Sequence, residues 1–350
     1  MAKCLIESSL LLIPVLTIAE TLCTIMKNLL AISIISLILI FSISCKDDRK
    51  VDFKPENYLQ QISEVELQTF ELDTISLSEI KGTNGTQIWF IREAFDVAEN
   101  QKITLELKEF YDFKELIFNN LNTITNKGEL LESSGVIYLD FKADGKSLEL
   151  KKNRRIGVSF PDNRLKNNNI YSGTVDTLNQ FTWNEEEIFV GVKHYNQEYA
   201  IDVLKIIPRD SLEFYYQDIP ETIPGQTEND FFNITGSVFL NRFKWINIDF
   251  VIFPDRLANF ELIPRDDELE NLNIYFLYSN LNSFVSDHRT VDNLVFKNIP
   301  VKNQTNLIIV GKSDGKFYMD KINLSEITDE QIEIDLKETD LNEIRELVGK

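Results

Sequence analysis

The sequence predicts a mainly β protein: two tandem β-sandwich-like domains with a short inserted helix and a C-terminal helical segment, after an N-terminal signal/anchor segment. Three observations carry this. Short apolar runs with period-two alternation recur from residue 65 to about residue 322. Turn signals such as Gly82-Thr83-Asn84-Gly85 and Ser313-Asp314-Gly315-Lys316 separate them. All three cysteines, Cys4, Cys23 and Cys45, precede the body, so nothing after Cys45 can form an intrachain disulfide or a thiolate metal site.

Taken in order, residues 46–64 are polar with one proline and read as a tether. A first β-sandwich is expected over 65–175. Its strands are VELQTFEL (65–72), TQIWFI (86–91), KITLEL (102–107), GVIYLDFKA (135–143), SLELK (147–151) and RIGVSF (155–160). In KITLEL, Ile103, Leu105 and Leu107 alternate with Thr104 and Glu106, the pattern of a half-buried strand. Residues 112–124 break the period: Phe113, Leu116, Ile117 and Leu121 fall at helical spacing and predict a short helix across one end of a sheet.

The polar, Asn-rich stretch near 162–182 marks a domain break or a long loop within one sandwich. A second β domain is expected over 176–326. Its strands are EIFVGVK, YAIDVLKII, GSVFLNRFKWINIDFVIF, NIYFLY, TVDNLVF, NLIIVGK and GKFYMDKI. Asp-Gly in SDGK predicts a hairpin turn, because both residues tolerate positive φ. Residues 327–350 are expected to be helical. Thr328 is the N-cap, and Ile332, Leu336, Leu341, Ile344 and Leu347 form an apolar stripe.

The first 45 residues hold two apolar stretches. Leu29–Ser44 is nearly unbroken, but its 16 residues fall short of the ~20 that span a bilayer. Met26 and Lys27 precede it, so a charged start, an apolar core and small residues follow one another as in a signal peptide. Met26 is then the natural start, with 1–25 an upstream leader. Ser42-Ile43-Ser44-Cys45 resembles the lipobox of bacterial lipoproteins, although Ser42 stands where an aliphatic residue is usual. The resemblance implies that the Cys45 thiol is acylated and the chain cut before it. An uncleaved anchor and a buried helix are the alternatives. Lys46-Asp47-Asp48 resembles the export signal of Bacteroidetes-type surface lipoproteins. It implies a location on the outer membrane, lipid-anchored and facing the cell surface. If these charges are only a tether, the periplasmic face is the alternative.

A second resemblance rests on Gly85-Thr86, Ala94-Phe95, ITLELKEFYD, LLESSGVIYLDFKADGKSLELKK and IGVSFP. Together these pieces of residues 82–161 resemble a module of Bacteroidetes cell-surface proteins that is itself similar to a ZU5-type β-sandwich. Ser133-Ser134-Gly135-Val136 departs from the Thr-Gly-Gly-Met of that module. FKWINIDF (243–250) resembles a segment downstream of it. The resemblance implies an interaction module and carries over no catalytic residue.

Chemistry-bearing patterns are sparse. The formal net charge of −20 argues against nucleic acid as a partner, since phosphates would be repelled. His194 and His288 are the only histidines, and neither sits in a metal or nucleophile motif. No phosphate-binding glycine loop occurs, so no cofactor and no metal are expected. RDDELE (265–270) has oxygen ligands for calcium but lacks EF-hand spacing, and reads as a solvated loop. Among 56 acidic residues some pair will reach glycosidase separation, so a carboxylate-dependent polysaccharide hydrolase is the enzymatic alternative. Trp89, Trp183 and Trp245, where exposed, can stack on sugars; Trp245 reads as core. Tyr275-Phe276-Tyr278 also reads as core. Asp73-Thr74-Ile75, Asp176-Thr177-Leu178 and Asp210-Ser211-Leu212 resemble Bacteroidetes-type O-glycosylation acceptors at Thr74, Thr177 and Ser211. The expectation is a membrane-anchored binding or structural module, not an enzyme, whose partner is an envelope protein or glycan. A scaffold component of an envelope secretion or adhesion apparatus is the further alternative.

Overall fold

In the computed structural model the chain forms two compact units, Met1–Lys54 and Pro55–Lys350. The structure describes residues 56–72, 77–163, 168–175, 181–196, 201–211, 237–265, 269, 271–327 and 331–348, all in the second unit. This unit is mainly β, with antiparallel sheets and few helices.

The chain lays down β1 (Gln68–Leu72), β2 (Leu77–Lys81), β3 (Gln87–Ile91) and β4 (Ile103–Phe110) before helix α1 (Phe113–Phe118). Next come β5 (Leu130–Ala143), β6 (Lys146–Ser147), β7 (Ile156–Ser159), β8 (Asn169–Val175) and β9 (Phe181–Glu186). Then follow β10 (Phe189–Asn196), β11 (Ile201–Pro208), β12 (Ser237–Leu240) and β13 (Lys244–Ile252). The remaining strands are β14 (Arg256–Pro264), β15 (Asn271–Tyr278), β16 (Ser283–Thr290), β17 (Val295–Val301), β18 (Thr305–Ser313), β19 (Lys316–Asn323), β20 (Gln331–Ile334) and β21 (Lys337–Thr339). Helix α2 (Leu341–Val348) follows them.

Four sheets result. Sheet I runs β1-β4-β5-β13-β8-β9, with β6 on β5; sheet II runs β11-β10-β12-β7-β3-β2. Sheet III runs β16-β15-β18-β19-β21, and sheet IV runs β17-β14-β20. Alternation explains the pairing of I with II: Ile103, Leu105 and Leu107 of β4 face Ile88, Phe90 and Val158 of sheet II in one apolar core. Sheets III and IV enclose a second core around Phe260, Phe276, Phe296 and Ile309.

A third apolar layer joins the two sandwiches. Sheet I contributes Val136, Tyr171, Phe181 and Trp183 from its outer face. Sheet III contributes Tyr275, Leu277, Ile308 and Val310, and α1 and α2 wedge in Leu116, Ile117, Ile344 and Val348. Sheet III is therefore covered on both faces. That is why β15 reads as an unbroken apolar run: Leu272, Ile274, Phe276 and Tyr278 enter the second core, while Tyr275 and Leu277 enter the shared layer.

Most expected strands are present, but SLELK (147–151) is strand only at Ser147 with an isolated bridge at Leu150, and TVDNLVF (290–296) spans the turn between β16 and β17. Four corrections are larger. The boundary expected at 175/176 falls inside one sheet, because β8 and β9 pair directly and β13 lies between β5 and β8. The first sandwich is completed only by residues 237–252, so chain order and sheet order part company. Among the described residues of the segment expected to be helical over 327–350, α2 is the helix. Ile332 and Ile334 are buried on alternate positions of β20, a period of two that the helical stripe obscured. Asn57–Ile62 of the expected tether packs onto the body: Tyr58 and Leu59 are buried, and Tyr58 N–H donates to Asn273 Oδ1 at 3.0 Å. The run GSVFLNRFKWINIDFVIF is two strands, β12 and β13, in different sheets. The Asp-Gly hairpin joins β18 to β19 as expected, with Asp314 at φ 50° and Gly315 at φ 77°.

Candidate functional site

Cys45, Lys46, Asp47 and Asp48 lie outside the described residues, as do Thr74, Thr177 and Thr328. Ser211 ends a 3-10 turn after β11 and is half-buried. His194 is on β10, opposite Val203 of β11, and His288 is on β16, so the two histidines stand in different sandwiches. Trp183 is fully buried, and Trp245 packs on Phe110, Tyr138 and Phe181, which leaves neither as an open platform. Leu269 of RDDELE is buried in the second core, and Arg265 pairs with Glu333 at 2.6 Å. Among the described residues no cluster of three His, Cys, Asp or Glu side chains could hold a metal, and no helix is long and apolar enough to cross a membrane.

Three of the quoted motif pieces of the first sandwich, Gly85-Thr86, ITLELKEFYD and LLESSG, meet around one carboxylate. Glu109, at the end of β4, is buried. It accepts the N–H groups of Asn84 and Thr86 at 2.8 and 2.9 Å, the Thr86 hydroxyl at 2.5 Å and Gln68 Nε2 at 2.8 Å. Tyr111 reaches the same Thr86 hydroxyl at 2.8 Å. Gly135 on β5 has φ 143°, and a Cβ there would meet the Tyr111 ring at 2.3 Å. GTNGT, EFY and SSG thus form one loop anchor. With four donors on its two oxygens, Glu109 is occupied in holding the β2–β3 turn.

A cross-strand carboxylate pair lies on sheet I, Glu106 opposite Asp140. Lys142 Nζ is 2.6 Å from Glu106 and 3.8 Å from Asp140, and Lys244 also pairs with Asp140. Both carboxylates are therefore held by ammonium groups on the sheet face.

Polar groups concentrate in the layer between the sandwiches. Asn247 and Asp249 of β13 project from the outer face of sheet I, with Asn247 Nδ2 donating to Asp249 at 2.5 Å. Burial pushes the Asp249 carboxyl well above the usual carboxylate range, against the opposing pull of Ser133, Asn247 and the Ser134 N–H. Across the layer, the chain after α1 lies along β16. Thr123 N–H donates to Phe284 O at 3.0 Å, and Ser286 N–H donates to Asn122 Oδ1 at 2.6 Å.

An exposed apolar face lies on sheet IV. Phe260 and Leu262 of β14 turn into the core, which sends Leu257 and Ile263 outward; Leu257 is 58% exposed. Val295 of β17 stands opposite Glu261 and is 46% exposed, and Phe253, just before β14, is 80% exposed. A groove of about 680 Å³ crosses this face, lined by Asn259, Glu261, Val295, Lys297 and Gln331 among others. Its position follows from the β14–β17 register shift between Ala258 and Phe260, where Asn259 Oδ1 accepts the Asn298 N–H at 2.8 Å. Sequence reasoning missed this face. RLANFELIP carries the alternation of a strand, but Leu257 and Ile263 look like core residues until their neighbours are known.

No protein-family model matches the chain, and neither a curated protein nor a solved structure does so.

Proposed function

We propose that the protein is a lipid-anchored cell-envelope lipoprotein, facing outward from the outer membrane, whose body binds an envelope protein or glycan without catalysis. Cys45 is the acylated anchor in this reading, and Lys46-Asp47-Asp48 is the address. Residues 82–161 act as a ZU5-like interaction module, and the open face of sheet IV is the binding surface. The observation that carries the binding role is the outward, exposed placement of Leu257 and Ile263 on β14 and of Val295 on β17, with Phe253 exposed just before β14. Val295 lines the groove together with Lys297, Glu261 and Gln331. Exposed apolar side chains beside a groove of this kind are a usual mark of an interaction site.

Protease shaving of intact cells tests the anchor. Wild type should be digested from whole cells, and Cys45→Ala should be lost from the cell surface. Protection of wild type until lysis would place the protein on the periplasmic face instead. Leu257→Asp with Val295→Asp tests the binding face: retention of envelope proteins or glycans should fall at least about tenfold if two interface anchors are lost. Equal retention by wild type and variant would rule out sheet IV as the surface.

A further inference from the structure

The seam between residues 120–125 and β16 is polar where its surroundings are apolar. Asn120, Asn122, Thr123, Ser286 and His288 are all buried in it. Thr123 Oγ1 contacts Ser283 Oγ at 3.0 Å and accepts the Phe284 N–H at 2.7 Å. The Ser286 hydroxyl reaches Asn122 Oδ1 at 2.7 Å and also contacts Asn120 Oδ1. At the end of this chain, His288 Nε2 lies 3.2 Å from Asn120 Nδ2, while Nδ1 has no hydrogen-bond partner.

We propose that His288 is a proton-sensitive latch: a proton taken up there releases residues 120–125 from β16 and loosens the junction between the two sandwiches, while each sandwich keeps its own core. The reason is donor arithmetic. An imidazolium carries two N–H donors. Whichever way the Asn120 amide is turned, it offers His288 at most one acceptor, and Nδ1 faces none. A buried donor without an acceptor favours a state in which water reaches it.

The charges around the ring do not relieve this. On β16, Asp287 accepts the His288 N–H at 2.8 Å and pairs with Arg289 at 2.8 Å, which offsets its charge. From β15, the residue opposite is Asn273, a neutral amide bonded to Tyr58 N–H and the Tyr275 hydroxyl. From the chain after α1, the neutral Asn120 amide contacts the ring. Burial holds the His288 imidazole below its ordinary 6.5, and Asp287 pulls the other way without cancelling it. The folded pKa is lowered, so the latch is fully closed above about 6.5 and weakens as pH falls toward the folded value.

Hydrogen exchange on the full chain tests it. The amides of Thr123, Phe284 and Ser286 report the seam, and that of Ile137 reports the first core. Corrected for intrinsic chemistry, seam opening should rise by up to about tenfold per pH unit between about pH 6.5 and the folded pKa, with Ile137 unchanged. In His288→Gln the pH dependence should vanish. A seam that stays flat with pH, or a variant that responds like wild type, overturns the latch. Should His288→Gln fail to fold, imidazole NMR on otherwise wild-type chain decides, because there are only two histidines. His194→Gln assigns the His288 signal. A His288 midpoint that coincides with seam opening supports the proposal; a midpoint near 6.5 with no change in the seam refutes it.

Discussion

Asp249 has no exposed surface, and its carboxyl is raised mainly by burial. The folded pKa therefore lies above the unfolded one. The stability linked to its proton is complete below about pH 3.8 and is lost as pH rises toward the folded value. Asp249→Asn, which cannot ionise, should stabilise the protein at pH 8 by about 1–3 kcal/mol. The gain should shrink on acidification. Urea unfolding at pH 8 and pH 5 checks this; an equal gain at both would mean that ionisation is not the cause. Gly135 tests steric fit at the same scale. Its φ of 143° and the approach of the Tyr111 ring leave no room for a Cβ. Gly135→Ala should cost about 2 kcal/mol or more by the same urea assay, and Tyr111→Leu in the same chain should recover part of the loss.

At the scale of elements, β9 is tied to the chain after α1 through one residue, by both its side chain and its backbone. Trp183 is fully buried, its indole N–H donates to Asn122 O, and its backbone N–H donates to Ile124 O at 3.2 Å. Trp183→Ala should destabilise by about 3–5 kcal/mol, read from the urea midpoint by far-UV circular dichroism. A loss below about 1 kcal/mol would mean that the sandwich junction relaxes around the hole. Most strands are legible in the sequence at this scale because alternation is local. α1 was legible for a similar reason: its apolar residues repeat at helical spacing, and Asp112 caps it by accepting the Lys114 N–H at 3.0 Å. The C-terminal segment was not, because Ile332, Leu336 and Leu341 satisfy a helical stripe while Ile332 and Ile334 also satisfy a strand. Pairing of β20 with β14 resolves the tie in favour of the strand.

For the whole molecule, the shared layer decides cooperativity. Calorimetry of the intact body should show one unfolding transition, since sheet III is buried against both cores. Phe284→Ser, which puts a hydroxyl into that layer, should split it into two. A chain of residues 56–175 should lack fixed structure by NMR, because β13 is missing from between β5 and β8. A folded 56–175 fragment would contradict the sheet order. The candidate binding face also belongs to this scale. Leu257 and Val295 are distinguished from core residues only by the absence, among the described residues, of a sheet packed on the far side of sheet IV.

Fold class, most strand positions, the Asp-Gly hairpin and α1 follow from residues close in sequence, because period, capping and turn chemistry act over a few positions. The reading of Cys45 and its neighbours is likewise a matter of local pattern. Tertiary structure decided the rest: that β13 returns to close the first sandwich, that Asn57–Ile62 joins the body, and that Glu109, Asp249 and His288 are buried. These depend on which distant segments exclude water from a side chain. An alternating strand states that it has a covered face; the partner that covers it is chosen by packing across the whole chain.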